Sequence, residues 1–207
     1  MCLNFDGTRI AFQCSSGSTS TYIVSVTTGL ILRTIAGTAD NRGLACDYNM
    51  DFVAIFTNTN PVGSLKVFNV STGAETASFP TVYTFQSAGY SVCSMSADAR
   101  IVCYGATGVK KITNLVTSTT VSTNDFGIGG AIWVTPDGSR IFIVDVTNNR
   151  IVMVYPTDPT TVVCSYPNPT VSAYVTNGRT LISGNYDGSV LVVSNPISSS
   201  QKSIYFY

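Results

Sequence analysis

The chain has 207 residues, 44% of them hydrophobic and only 11% charged, and eleven basic residues balance eleven acidic ones. With no run of like charge and no apolar stretch longer than a strand, neither nucleic-acid binding nor membrane insertion is expected. The sequence has no histidine, which removes the commonest general base and metal ligand and, with them, the Ser-His-Asp and Cys-His nucleophile systems.

Ser, Thr, Val, Asn and Gly fill much of the chain and Glu75 is its one glutamate, so strands and turns are favoured over helices. From the N-terminus, a tight-turn signal followed by an apolar strand recurs five times. The copies are Asp6-Gly7-Thr8-Arg9-Ile10, Asn49-Met50-Asp51-Phe52-Val53, Asp98-Ala99-Arg100-Ile101, Asp137-Gly138-Ser139-Arg140-Ile141 and Asn177-Gly178-Arg179-Thr180-Leu181, the third one residue short. Asp-Gly and Asn-Gly enter left-handed backbone conformations cheaply and so can close a hairpin between two strands. A third strand follows in each copy, over 22–26, 65–70, 109–115, 150–155 and 190–194. Thr27-Thr28-Gly29 and Ser71-Thr72-Gly73 then turn the chain into a fourth, such as 30–35 or 160–164. A period of about 40–48 residues with four strands per period is that of propeller blades.

The stretch Val134-Thr135-Pro136-Asp137-Gly138-Ser139-Arg140-Ile141-Phe142-Ile143-Val144, with Asn148-Asn149-Arg150-Ile151-Val152-Met153-Val154 after it, resembles one blade of the YVTN-type and WD-like propeller repeats. The resemblance extends over the whole chain, without the Trp-Asp dipeptide of true WD repeats. It implies an all-β fold, a β-propeller of about five four-stranded antiparallel blades in one domain, residues 1–207. The blades fall at about 1–36, 37–80, 81–124, 125–167 and 168–207. With residues 202–207 read as an outermost strand, five blades are complete and no strand is left to close the ring. The chain is then either a five-bladed ring or five blades of a larger one, and its end blades are expected to associate.

In such a meander the short turns share one face and the longer connections the other, where propellers usually bind partners. The longer connections are read at 15–20, 36–42, 57–63, 81–88, 124–129, 145–149 and 185–187. They carry Arg42, Tyr83, Phe85, Asp125, Phe126, Asp145, Asn148, Tyr186 and Asp187 as candidate partner-binding residues. Aromatics with a few polar anchors suit a protein contact better than a catalytic cleft. Trp133, the only tryptophan, stands where the other innermost strands carry Cys2, Ala45, Ser94 and Ala173. It either fills the gap left by a neighbouring blade's small residues or forms the floor of a pocket on the long-connection face.

Six cysteines without a Cys-x-x-Cys pair read as unpaired small hydrophobes, and together with the lack of a visible secretory leader they point to an intracellular setting. Asp145 and Asp187 are the pair to consider for a hard cation, and Asn69-Val70-Ser71 is a glycosylation sequon. The leading expectation is a non-enzymatic scaffold that binds a protein partner, with no cofactor. The alternatives are a propeller enzyme of lactonase, glycosidase or quinoprotein type, working with carboxylates or a metal, and a structural surface module.

Overall fold

The computed structural model describes residues 1–13, 20–36, 41–59, 62–82, 92–105, 108–127, 130–167, 181–196 and 202–206. These residues form strands and turns without helix. Sheet 1 is β1 (Cys2–Leu3), β2 (Arg9–Gln13), β3 (Ser20–Ser25) and β4 (Ile31–Ala36); sheet 2 is β5 (Asn41–Cys46), β6 (Phe52–Thr59), β7 (Val62–Asn69) and β8 (Glu75–Val82). Sheet 3 is β9 (Val92–Met95), β10 (Ile101–Gly105), β11 (Val109–Asn114) and β12 (Thr119–Asp125), and sheet 4 is β13 (Ile132–Val134), β14 (Ile141–Asp145), β15 (Arg150–Val154) and β16 (Cys164–Pro167). Sheet 5 holds β17 (Leu181–Gly184), β18 (Leu191–Pro196) and β19 (Lys202–Phe206). Each is an antiparallel meander in chain order, and their first strands stand side by side, β1 next to β5, β5 to β9, β9 to β13 and β13 to β17. The architecture is blade-like and all-β, as the repeat predicts.

Strand alternation sends neighbouring residues to opposite sides of a sheet, and in the inner sheets both sides are covered. Ala11, Ile23 and Ile35 of sheet 1 therefore meet Val53, Ile55 and Phe68 of sheet 2, while Ala54, Phe56 and Leu65 meet Val102 and Tyr104 of sheet 3. Cys103 and Ile112 then meet Ile141, Ile143 and Val152, and Phe142, Val144 and Ile151 meet Leu191 and Val193. This two-sided burial explains why β6 and β14 read as unbroken apolar runs. Each Val or Ile removed from water there contributes about 1.5–3 kcal/mol.

One turn closes every first hairpin. A side-chain oxygen at its first position accepts the backbone N–H five residues on: Asn4 from Arg9 (2.8 Å), Asp47 from Phe52 (2.9 Å), Ser96 from Ile101 (3.0 Å), Thr135 from Arg140 (3.0 Å) and Asn185 from Val190 (2.9 Å). Two residues later Asp6, Asp98, Asp137 and Asp187 each accept the N–H two residues further along, at 2.9–3.0 Å. The next residue has positive φ: Gly7, Met50, Ala99, Gly138 and Gly188.

This register corrects the sequence reading in several places. The fifth turn is Asn185 to Val190, and Asn177-Gly178 lies outside the described residues. Among the described residues, the strand expected third in sheet 5 is therefore its second, β18, and Lys202–Phe206 is its third rather than an outermost fourth. Sheet 3 lacks no residue, since Val102, not Ile101, is the equivalent of Ile10. The connection expected over 57–63 also shrinks to a hairpin, because β6 and β7 stay paired as far as Thr59 and Val62. The fourth strand of sheet 4 starts at Cys164 rather than at 160.

The two non-glycine residues at positive φ in this turn motif separate strain from packing. Met50 is wholly buried, whereas Ala99 only borders the core. Ala99→Gly should leave stability unchanged or raise it by up to about 1 kcal/mol, because the left-handed penalty offsets one lost methyl. Met50→Gly should cost about 2–4 kcal/mol through its cavity. Urea denaturation checks both, and a loss above about 1 kcal/mol for Ala99→Gly contradicts the account.

Candidate binding site

The first strands converge on a cavity of about 300 Å³. Leu3, Cys46, Met95, Trp133, Val134, Ser183 and Gly184 line it from all five sheets, with Phe5, Asp47, Tyr48, Ala97 and Pro136 from the turns. It therefore opens toward the short-turn face, not the long-connection face. Phe5, Tyr48, Ala97 and Pro136, which hold the second position of the turn motif in sheets 1 to 4, form its mouth, and Tyr186 holds the same position in the fifth turn. Three are aromatic, and Phe5 and Tyr48 stack with ring centres 4.5 Å apart at 19°, while Tyr186 is 62% exposed.

Backbone hydrogen bonds link these positions around the mouth. Phe5 N–H donates to the Tyr48 carbonyl (3.0 Å), Tyr48 N–H to Ala97 (2.9 Å) and Ala97 N–H to Pro136 (2.8 Å). Proline has no N–H, so the series cannot continue to Tyr186. At that junction Arg140 Nη1 reaches the Asp187 carbonyl instead (2.7 Å), and its counterpart Arg9 reaches the Asn49 carbonyl (3.2 Å).

Trp133 lies stacked on Phe142 at 5.7 Å and over Gly184 of the neighbouring sheet. A Cβ on Gly184 would fall 2.8 Å from the indole and 2.3 Å from the Val190 carbonyl oxygen. The indole thus fills the space left by a residue without a side chain and also walls the cavity. The fifth member of its row is Ser183, not Ala173, which lies outside the described residues.

Asp47 is the charged group of the cavity wall. Burial pushes its carboxyl above the usual range and repulsion from Asp51 adds to this, against the hydrogen bond from Phe52 N–H. The exposed turn carboxylates go the other way: hydrogen bonds from the Thr8 hydroxyl and N–H lower Asp6, and those from Ser189 N–H and hydroxyl lower Asp187.

The other predicted residues separate. Asp145 is fully buried at the end of β14, where it accepts Asn148 N–H (3.1 Å) and Asn148 Nδ2 (2.9 Å) and pairs with Arg150 Nε (2.8 Å). Asp145 and Asn148 therefore build the β14–β15 turn rather than present a free acid. Phe126 is 3% exposed among Ile132, Ile143 and Val152, a core residue and not a surface one. Asp125 is exposed and accepts Gly127 N–H at 2.9 Å. Tyr186 and Asp187 lie on the short-turn face, opposite to their expected place, so Asp187 and Asp145 stand at opposite ends of the sheets and form no joint cation site. Among the described residues no cluster of three or more Cys, Asp or Glu could hold a metal ion. Arg42 belongs to β5, and Tyr83 and Phe85 lie outside the described residues.

The sequon asparagine, Asn69, is engaged as a turn acceptor for Thr72 N–H (3.0 Å) and the Ser71 hydroxyl (2.7 Å). Cys2, Cys46, Cys93, Cys103 and Cys164 are free thiols. Sequence reasoning missed Lys110, fully buried on β11, whose ammonium burial pulls down to about 8 against the opposing pull of Cys103 and Asp125. The adjacent Lys110-Lys111 pair was the available signal, since alternation sends one of two neighbours inward.

No protein-family model matches the sequence, and no curated protein sequence matches it. Solved structures do. The hydrazine synthase of Kuenenia stuttgartiensis superposes with a TM-score of 0.68 at 14% identity, over 99% of this chain and 60% of that one. A chain of the mitotic checkpoint complex gives 0.69 at 10% identity, over 96% and 59%. A functionally unknown protein from Desulfotomaculum acetoxidans DSM 771 gives 0.65 at 14%, over 100% and 67%. The fold is propeller-like. At these identities the likeness is one of fold, and the chain spans about 60% of the first two structures.

Two outcomes test this geometry. Gly184→Ala should lose about 1–3 kcal/mol by overpacking against Trp133 and Val190, with altered tryptophan emission; unchanged stability and emission would contradict the contact. For Asp47, a raised folded pKa means that stability falls as pH climbs from the ordinary carboxyl value of 3.8 through the higher folded value. Asp47→Asn should therefore raise the melting temperature at pH 7 by about 2–4 °C, if the gain is about 1 kcal/mol, and the gain should vanish below about pH 4. Thermal unfolding from pH 3.5 to 7 reads this, and a variant less stable at pH 7 contradicts it.

Proposed function

We propose that this chain is a non-enzymatic, propeller-like interaction module that grips a protein partner at the mouth of its axial cavity. The observation that carries the reading is the set of exposed aromatics on the short-turn face, Phe5 and Tyr48 at the cavity mouth and Tyr186 on the fifth turn, where side-chain caps and inter-sheet hydrogen bonds hold the turns. Exposed aromatics on a preorganised backbone bind partners at low entropic cost. Arg42, Asp125, Tyr83 and Phe85 add a second contact surface on the long-connection face in this reading. Its likeness in fold to a chain of the mitotic checkpoint complex, a protein assembly, agrees with such a role.

A photo-crosslinking amino acid placed at Phe5, Tyr186 or Phe85, with Val121 on the outer strand β12 as control, tests it in cells that express the chain naturally. Discrete protein adducts at Phe5 and Tyr186, absent at Val121, are expected. Adducts at Phe85 alone move the contact to the long-connection face. Equal labelling at every position, or none, overturns the reading.

A further inference from the structure

The axial cavity carries one charge that the fold does not require. At the first position of the turn motif four sheets use neutral acceptors, Asn4, Ser96, Thr135 and Asn185, and their side-chain oxygens perform the same capping bond as Asp47. Asp47 caps Phe52 N–H with one carboxylate oxygen, as an asparagine would. Its negative charge is surplus to that role. The residue is 8% exposed, no ion pair engages it among the described residues, and Asp51 repels it. Backbone hydrogen bonds from Phe52, Asp51 and Asp47 itself offset only part of the burial, so keeping a carboxylate there without an opposite charge costs stability, a cost that proteins accept where function needs the group.

Aromatic residues line the same cavity as Asp47. Tyr48 follows Asp47 directly and stacks with Phe5, and the Trp133 indole forms part of the same wall. Aromatic faces attract cations, and more strongly where water is scarce. Leu3 and Met95 supply apolar surface for an alkyl stem. A volume of about 300 Å³ has room for a long side chain. The arginines near the mouth do not compete for Asp47, because Arg9 is held by the Asn49 carbonyl and Asp51, Arg100 by Asp98 and Arg140 by the Asp187 carbonyl.

We propose that the cavity takes a cationic side chain, the ammonium of lysine or the guanidinium of arginine, from a loop of the partner protein, with the charge against Asp47 and the stem against Leu3, Met95 and Trp133. This rests on the reading of the chain as an interaction module and names what the module recognises.

Trp133, the only tryptophan, makes the site its own reporter. Acetyl-Gly-Xaa-Gly-amide peptides with lysine, arginine or norleucine as the central residue are titrated into the intact chain and into Asp47→Asn, with emission as readout. Saturable shifts with the lysine or arginine peptide are expected, the stronger of the two identifying the cation. The norleucine peptide should bind at least about tenfold more weakly, consistent with loss of a desolvated charge contact. Asp47→Asn should erase that preference without lowering the melting temperature. Equal binding of the norleucine peptide, or a preference that survives Asp47→Asn, overturns the cation assignment while leaving the interaction module standing. No response to any of the three peptides overturns it as well, whereas failure of the module itself is read separately, as absence of crosslinks at Phe5 and Tyr186.

Discussion

A side-chain oxygen that caps the first hairpin of each sheet is the interaction on which the rest of this structure depends. It satisfies a backbone N–H that the tight reversal would otherwise leave unpaired. In doing so it fixes the angle at which the second turn position leaves the strand. That position can then donate its own N–H to the next sheet, so a local turn becomes an inter-sheet connector. Packing of Ala11, Ile23 and their equivalents against the following sheet supplies most of the burial, while the capped turns set the register in which it occurs.

The junction between sheets 4 and 5 shows how the device tolerates a defect. Pro136 breaks the run of N–H donors, while the guanidinium of Arg140 still bonds the Asp187 carbonyl, as Arg9 bonds that of Asn49 at the first junction. Trp133 over Gly184 adds a large apolar contact at the same junction. One side of the axial cavity is therefore built from bulky side chains, and the other, at Phe5 and Tyr48, from stacked rings. The cavity inherits its rigidity from turns whose own requirements leave the second position chemically free, which is why that row ranges from alanine to tyrosine.

Asp47 stands at the meeting of these two roles. As a cap it is interchangeable with asparagine, serine or threonine. As a charge it has no counterpart in the other turns and no partner within the described residues. Structural needs explain the oxygen and not the charge, and the candidate site rests on that difference. The buried carboxylate at Asp145 is the contrasting case, since Arg150 and Asn148 account for it fully.

Local chemistry alone determined the all-β character, the four-stranded period and the first four turns, because Asp-Gly and its relatives before an alternating apolar strand have few other conformations open to them. It also pointed to Trp133, an outsized residue in a row of small ones. Only the tertiary structure chose between Asn177-Gly178 and Asp187-Gly188 for the fifth turn. Both are good turn formers, and the choice depends on the Asn185 cap and on Leu191 and Val193 meeting Phe142 and Val144 across the sheets. The side of each residue was likewise decided in three dimensions, so Phe126 went to the core, Asp145 to an ion pair and Tyr186 to the short-turn face. Asp47 was invisible as a candidate because a single aspartate beside a turn is unremarkable until five sheets bring their first strands together and place it in the wall of a cavity.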